Sequence, residues 1–133
     1  MYIKIKELRD KMYLGMRFNT VTGEYRHFDE IPKEELAVDD VWIPLPDFNE
    51  CEPDVQEEYI QILVKRHQRD STVMKKIRQI REKLNGEKRL SYYFSRLVEE
   101  YDDREEYRAY STKRMEEIAI EWCEEHGFAY SLK

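Results

Sequence analysis

The spacing of apolar residues changes near residue 50, and this change predicts two kinds of structure. In the first fifty residues the apolar positions form short runs that alternate with polar ones, as strands do. The segment 12–29 predicts two strands around a turn at Gly23, because glycine accepts the positive φ that tight turns require. Just before it, Ile5, Leu8 and Met12 fit one face of a short helix.

Prolines shape the rest of this N-terminal region. Pro32 lies near the first position of a short helix that the pattern predicts over 30–36. Pro44 and Pro46 exclude a helix and disfavour a central strand. The segment 41–48 is therefore predicted to be an extended arm whose apolar side chains press on the core.

From residue 53 onward the apolar positions recur every three to four residues, which predicts amphipathic helices. Four helices are predicted, over 53–67, 70–86, 89–101 and 104–126. The predicted fold class is α+β, with a small N-terminal strand and hairpin part packed on a C-terminal bundle of about four helices. A single domain is predicted over 1–133, with a β-rich subregion 1–50 and a helical subregion 51–133. The pattern leaves open whether these parts share one core.

Composition restricts the class of protein. A chain of 133 residues, of which 41% are hydrophobic, can bury the core of one ordinary domain. No apolar run approaches the roughly 20 residues of a membrane span, which predicts no membrane partner. The charged N-terminus does not fit a signal peptide, and Cys51 and Cys123 form no disulfide framework. A cytoplasmic protein with reduced thiols is the resulting expectation.

Charge is divided unevenly along the chain. The net charge is −6, yet residues 65–96 contain eleven Lys and Arg and only three acids. Cationic side chains neutralise phosphates, and aromatic rings stack on unpaired bases. The candidate anion or nucleic-acid surface therefore consists of Lys75, Lys76, Arg78, Arg81, Lys88, Arg89, Tyr92, Tyr93 and Arg96.

Two other interpretations of this basic stretch stand beside nucleic-acid binding. The acidic segments on either side can pair with it inside the molecule, because charged helix faces are most often solvated or paired surfaces. An acidic partner protein can also bind it. The negative net charge of the whole chain argues against a dedicated nucleic-acid binder, so the sequence favours internal pairing.

The closest approach to a catalytic or metal site is Cys123 with His126, three residues apart in the last predicted helix. They supply two ligands, whereas a structural zinc site needs four, and Cys123 lies on the apolar side of its helix. Only Glu24 precedes a His at the Glu-x-x-His spacing, and it lies in the predicted hairpin, whereas four-helix carboxylate metal sites need this motif on two helices. Since nucleophile and phosphate-binding motifs are also missing, the sequence predicts no catalytic residue, metal or cofactor.

Three further motifs lack an obvious chemical role. They are TGE at 22–24, IPLP at 43–46 and, most specifically, EIAIEWCEEHG at 117–127. With them the chain resembles, over nearly its whole length, a bacterial group known only as uncharacterised protein family 0158. The resemblance implies no established activity, cofactor or catalytic residue.

One segment departs from that family's pattern. The family has approximately GxGAFRRF where this chain has GEKRLSYYF at 86–94, so Tyr92 and Tyr93 replace two arginines. If the arginines bind an anion in the family, this chain has weakened the site, for which Lys88 and Arg89 are the available substitutes.

Together these patterns predict a non-enzymatic cytoplasmic interaction or regulatory module whose partner is a protein. Nucleic-acid binding through residues 65–96 is the alternative function. Neither the identity of a partner nor the oligomeric state follows from the sequence.

Overall fold

The computed structural model describes residues 2–84, 90–101 and 104–133, with the side chains of 83, 84 and 90–93 excluded. The protein has an α+β fold, as predicted. Five strands lie within these ranges: β1 (Ile3–Lys4), β2 (Met16–Asn19), β3 (Tyr25–His27), β4 (Trp42–Pro44) and β5 (Tyr130–Ser131). The α-helices described there are α1 (Ile5–Asp10), α2 (Lys33–Leu36), α3 (Phe48–Arg66), α4 (Ser71–Leu84), α5 (Leu90–Tyr101) and α6 (Arg104–Glu125).

The chain divides into two compact units. Unit 1 comprises Met1–Glu50 and Arg114–Lys133, and unit 2 comprises Cys51–Lys113. Each unit contains its own cluster of buried apolar side chains, which answers the question of one core or two. Residues 114–133, which the sequence pattern assigned to the helical subregion, group with the first fifty residues. The prediction of a single domain over 1–133 stays a prediction.

The hairpin predicted in unit 1 is present. β2 and β3 pair antiparallel with Phe18 opposite Tyr25, and β4 pairs with the other side of β2, in the order β3-β2-β4. The Asn19 side chain accepts hydrogen bonds from the N–H groups of Val21 and Thr22 at 2.8 and 2.9 Å. Gly23 has a φ of 78°, the left-handed conformation that the turn requires.

The predicted extended arm proves to be strand β4 at an edge of this sheet. Pro44 is its last residue, and an edge position tolerates a residue that lacks an N–H group. The next residue returns to the ladder, because the Leu45 N–H donates to the carbonyl of Met16 at 3.2 Å. Trp42 and Leu45 are buried, as expected for an arm that presses on the core.

A second, two-stranded sheet joins the ends of the described chain. The alternation at 2–5 is typical of a short strand, but the sequence pattern did not predict its pairing with the C-terminal end. β1 and β5 pair in parallel, with Ile3 opposite Tyr130. Gly127 makes this return possible: its φ is 70°, and the following Phe128 N–H donates to the carbonyl of Cys123 at 2.8 Å. The predicted stop of the last helix at Gly127 is therefore confirmed.

The core of unit 1 is centred on Phe18. Its ring lies 5.9 Å from that of Trp122 in an edge-to-face arrangement and 5.6 Å from that of Phe128. Trp122 satisfies its indole N–H by donating to the carbonyl of Pro44 at 3.2 Å. The side chains of Ile5, Leu8, Met12, Met16, Ala119 and Cys123 are buried in the same cluster.

Unit 2 is built from helices whose apolar stripes face one another. α4 begins at the predicted cap, where Asp70 accepts hydrogen bonds from the N–H groups of Thr72 and Val73. Its buried cluster consists of Tyr59, Ile60, Leu63, Val73, Ile77, Ile80, Phe94, Leu97 and Val98. Within the described ranges, no helix is both long enough and apolar enough to cross a membrane.

The start of α3 differs from the prediction, which placed it at residue 53. The helix begins at Phe48 and includes Pro53. Asp47 and Glu50 have the spacing of a capping box, and the Asp47 side chain accepts the N–H of Asn49 at 3.0 Å. The cap starts the helix early, and Pro53 lies close enough to its N-terminus to be accommodated at the loss of one backbone hydrogen bond.

Candidate interaction surfaces

The basic candidates on α4 divide into exposed and paired side chains. Lys75 and Arg78 are exposed, and neither forms an ion pair with a residue that the structure describes. Lys76 instead bonds Glu100 of α5 at 3.1 Å and lies 5.6 Å from the centre of the Tyr101 ring. The hydrogen bond from Lys76 to Glu100 raises the pKa of Lys76 by stabilising its charged form.

Other bases of the 65–96 stretch also pair inside unit 2. Arg81 bonds Glu57 of α3 at 3.0 Å, and the guanidinium of Arg66 makes two hydrogen bonds to Glu106 of α6. In each case, as with Lys76, the acid comes from a flanking acidic region of the chain. Internal pairing, which the sequence favoured, therefore occurs for these three bases.

The remaining candidates add little positive charge to the described surface. Arg96 is exposed on α5, whereas Lys88, Arg89 and the side chains of Tyr92 and Tyr93 lie outside the described part of the chain. The exposed residues of α4 with described side chains are Ser71, Thr72, Lys75, Arg78, Gln79 and Glu82. The two bases of this set are partly offset by Glu82, so the exposed side chains described on α4 carry little net positive charge.

Cys123 and His126 behave as packing residues. Cys123 is completely buried, and burial together with nearby Glu124 raises the pKa of its thiol to about 11. The thiol stays protonated at neutral pH, whereas nucleophiles and metal ligands are thiolates. His126 stacks on Phe128, with ring centres 5.6 Å apart. Among the side chains placed by the structure, no group of three or more His, Cys, Asp or Glu could hold a metal ion.

A surface pocket of about 490 Å³ lies in unit 1, and we call it the unit 1 pocket. Its apolar lining includes two strongly exposed side chains, Leu14 at 68% and Phe28 at 44% of full exposure. The lining also includes apolar Pro44 and Pro46 and charged Arg17, Asp47 and Glu50. With exposed apolar side chains beside charged ones, this pocket is the candidate binding site of unit 1.

Gly15 positions the aromatic side of this pocket. Its φ is 83°, and its carbonyl accepts the N–H of Phe28 at 2.8 Å. A Cβ atom at this position would lie 2.5 Å from Nε2 of His27 and 2.9 Å from Cδ1 of Phe28. Only glycine therefore lets the end of β3 approach the start of β2 closely enough to hold Phe28 against the pocket.

The charges around the pocket are incompletely paired. Arg17 lies directly opposite Arg26 in the β2–β3 ladder. Arg26 bonds Glu24 at 3.0 Å, whereas Arg17 forms no ion pair with any described residue. Glu50 is exposed and likewise has no such partner among the described side chains. Among the described residues, the cation Arg17 and the anion Glu50 at this pocket therefore pair neither with each other nor with another charged side chain.

The sequence pattern did not point to the unit 1 pocket. Leu14 and Phe28 belong to a segment predicted as strands, in which apolar side chains are expected to be buried. The available signal was Leu14 beside Gly15, an apolar residue next to a glycine that starts a strand. That signal indicates a tight backbone approach and does not reveal which side chains stay exposed.

Comparison of the chain with known protein families, with curated proteins and with solved structures finds no match. The resemblance to uncharacterised protein family 0158 consequently stays a prediction. Any function has to be inferred from the chemistry of the surfaces themselves.

Proposed function

We propose that this chain is a cytoplasmic, non-enzymatic interaction module of uncharacterised protein family 0158 that binds a partner protein through the unit 1 pocket. The observation that supports the proposal is the exposure of Leu14 and Phe28 at the pocket. Burying apolar side chains contributes roughly 25 cal/mol per Å² of apolar area removed from water, which gives a partner a reason to bind there.

A partner protein fits these two side chains better than a small molecule. Leu14 and Phe28 are exposed as well as lining the pocket, so covering them requires surface that extends past the pocket itself. A polypeptide supplies such surface, and apolar anchors of this kind carry most of the energy in protein interfaces.

Site-specific photo-crosslinking tests this proposal. A photoreactive phenylalanine analogue at Leu14 is expected to give one discrete adduct in cells that express the protein. The matched control places the analogue at Val21, which belongs to the same unit, is 75% exposed and does not line the pocket. The same adduct from Val21, or no adduct from Leu14, would contradict binding at the pocket.

Nucleic-acid binding is a second candidate, supported by the exposure of Lys75, Arg78 and Arg96. Fluorescence anisotropy with labelled single- and double-stranded RNA and DNA tests it at low and near-physiological salt. Binding by phosphate contacts would weaken steeply with salt and fall in a Lys75→Glu/Arg78→Glu variant. A Lys33→Glu variant, which alters an exposed lysine in unit 1, should leave it unchanged.

A further inference from the structure

The charges at the unit 1 pocket indicate the chemistry of its occupant. Arg17 comes from the central strand β2, whereas Asp47 and Glu50 lie at the start of α3. No ion pair joins these described residues, so opposite charges line one pocket at separate places. An occupant that satisfies both must itself carry one negative and one positive group.

Arg17 favours a carboxylate. Arg17 is half-buried and lies directly opposite Arg26 in the β2–β3 ladder, and like charges at directly opposite positions destabilise a sheet. Arg26 has Glu24 as its partner at 3.0 Å, and a carboxylate bound at Arg17 would give the second arginine a partner as well. Arginine also presents two parallel N–H groups that match the two oxygens of a carboxylate.

Asp47 and Glu50 favour a cation. One oxygen of Asp47 accepts the N–H of Asn49 at 3.0 Å, and the other forms no hydrogen bond with a described residue. Glu50 lies one helical turn further on and is exposed. Two adjacent carboxylates attract a lysine or arginine side chain, with an interaction that weakens as salt increases.

Apolar surface lies in the same pocket as these charges. Leu14, Phe28, Pro44 and Pro46 line it, and Pro44 lies directly opposite Arg17 in the β2–β4 ladder. From this arrangement, and resting on the proposed function, we infer that the occupant is an extended partner segment with an apolar residue flanked by an acidic and a basic residue. The apolar side chain fills the pocket, the acid contacts Arg17, and the base contacts Asp47 and Glu50.

Blocked tripeptides provide a direct test with the intact chain. Acetyl-Glu-Leu-Lys-amide and acetyl-Lys-Leu-Glu-amide present the three groups in either chain direction. The better of the two is expected to shift the backbone NMR signals of Leu14, Gly15, Arg17 and Phe28. Its Kd should be about fivefold lower than that of the same peptide with a central alanine, because the leucine buries more apolar surface.

A charge exchange makes the test specific. An Arg17→Glu variant should bind the better tripeptide about fivefold more weakly than the original protein. It should bind acetyl-Lys-Leu-Lys-amide more tightly by a similar factor. The variant is expected to fold, since Glu at this position faces Arg26 as an opposite charge. Lys33→Glu makes the same change in net charge at a residue that does not line the pocket and should alter neither affinity.

The outcomes separate this inference from the proposed function. The inferred segment would be overturned if all peptides bound with equal affinity or if no peptide bound. It would also be overturned if Arg17→Glu had the same order of peptide affinities as the original protein, or if free leucine bound more tightly than the tripeptides. The proposed function depends instead on the crosslinked adduct from Leu14. A discrete adduct without the expected tripeptide binding would support protein binding at the pocket and contradict the inferred chemistry of the partner.

Discussion

Units 1 and 2 form their cores by different means. Unit 1 joins distant parts of the chain by backbone hydrogen bonds, such as that from the Ile3 N–H to the carbonyl of Ala129 at 2.9 Å. Unit 2 packs long helices along apolar stripes, and ion pairs such as Arg81–Glu57 cross between its helices. In unit 1 the backbone pairing of the two chain ends is accompanied by an ion pair between α1 and α6, Arg9–Glu116 at 2.6 Å, whereas the described elements of unit 2 are helices joined by several ion pairs.

The most basic stretch of the sequence and the unpaired charges beside exposed apolar side chains lie in different units. The most basic part of the sequence lies in unit 2, where Lys76 and Arg81 are engaged by neighbouring acids. In unit 1, Arg17 and Glu50 form no ion pair with a described residue and lie beside exposed apolar side chains. A partner gains more from such charges, because it does not have to displace an existing ion pair.

The largest expected effect concerns the independence of the two cores. Phe18→Ala and Tyr59→Ala each remove a buried aromatic ring and should lower the free energy of unfolding by about 3–5 kcal/mol. Both tryptophans of the chain, Trp42 and Trp122, belong to unit 1, so their fluorescence reports on that unit. Far-UV circular dichroism is dominated by the long helices.

In urea unfolding, we expect each variant to shift the signal that reports on its own unit more strongly than the other signal. Phe18→Ala should lower the fluorescence midpoint, and Tyr59→Ala should lower the circular dichroism midpoint. If both signals move together in both variants, the two clusters unfold as one cooperative unit and the distinction between them is purely geometric.

The second-largest expected effect is a loss of stability of unit 1 at high pH. Burial raises the pKa of the Cys123 thiol from its ordinary value of 9.0 to about 11. A group with a raised pKa in the folded state stabilises the fold fully below its unfolded value, so this contribution is present below about pH 9. It is lost as the pH rises towards 11, by roughly 2–3 kcal/mol in total.

Urea unfolding between pH 8 and 11, followed by tryptophan fluorescence, measures this loss. Cys123→Ala should show a smaller decline in stability than the original protein over that range. Cys51→Ala removes the other, partly exposed thiol and should keep the original decline. Parallel curves for all three proteins would show that Cys123 is not responsible.

A smaller expected effect is the difference between the stability costs of alanine at Gly15 and at Gly127, which separates the cost of backbone conformation from the cost of packing. Gly15 and Gly127 both have positive φ, but an added Cβ atom would lie within 4 Å of neighbouring side-chain atoms at Gly15 and not at Gly127. Gly127→Ala should cost about 1 kcal/mol for its conformation alone. Gly15→Ala should cost about 1 kcal/mol more and displace the NMR signals of His27 and Phe28. Equal costs without such displacement would mean that Gly15 does not hold the pocket.

Local patterns in the sequence predicted much of the fold. Gly23 marked the hairpin turn, Asp70 the cap of α4 and Gly127 the end of α6, because each signal acts within a few residues. At the start of α3 two local signals conflict: Pro53 indicates a helix boundary, whereas Asp47 and Glu50 have the capping-box spacing, and the helix follows the cap. The pairing of β1 with β5 joins residues more than a hundred positions apart, and no local pattern specifies it.

The candidate site was far less predictable than the fold. The sequence identified a basic stretch but could not show which of its charges meet an acid in three dimensions, as Arg81 does at Glu57. The unit 1 pocket depends on Leu14 and Phe28 staying exposed, which is decided by packing around Gly15. Exposure of an apolar side chain within a predicted strand is a property of the tertiary structure.

The smallest effect tests whether the ion pairs of unit 2 stabilise it. In a double-mutant cycle of Arg81→Met and Glu57→Gln, the coupling energy should be about 0.2–1 kcal/mol, because both side chains are partly exposed. Added salt should reduce it further. A pair of Lys75→Met and Glu82→Gln, two exposed residues of α4 that form no ion pair with each other, provides the control and should show no coupling. A coupling of several kcal/mol at Arg81 and Glu57 would mean that the charges hold unit 2 together, and they would then be unavailable to any anionic partner.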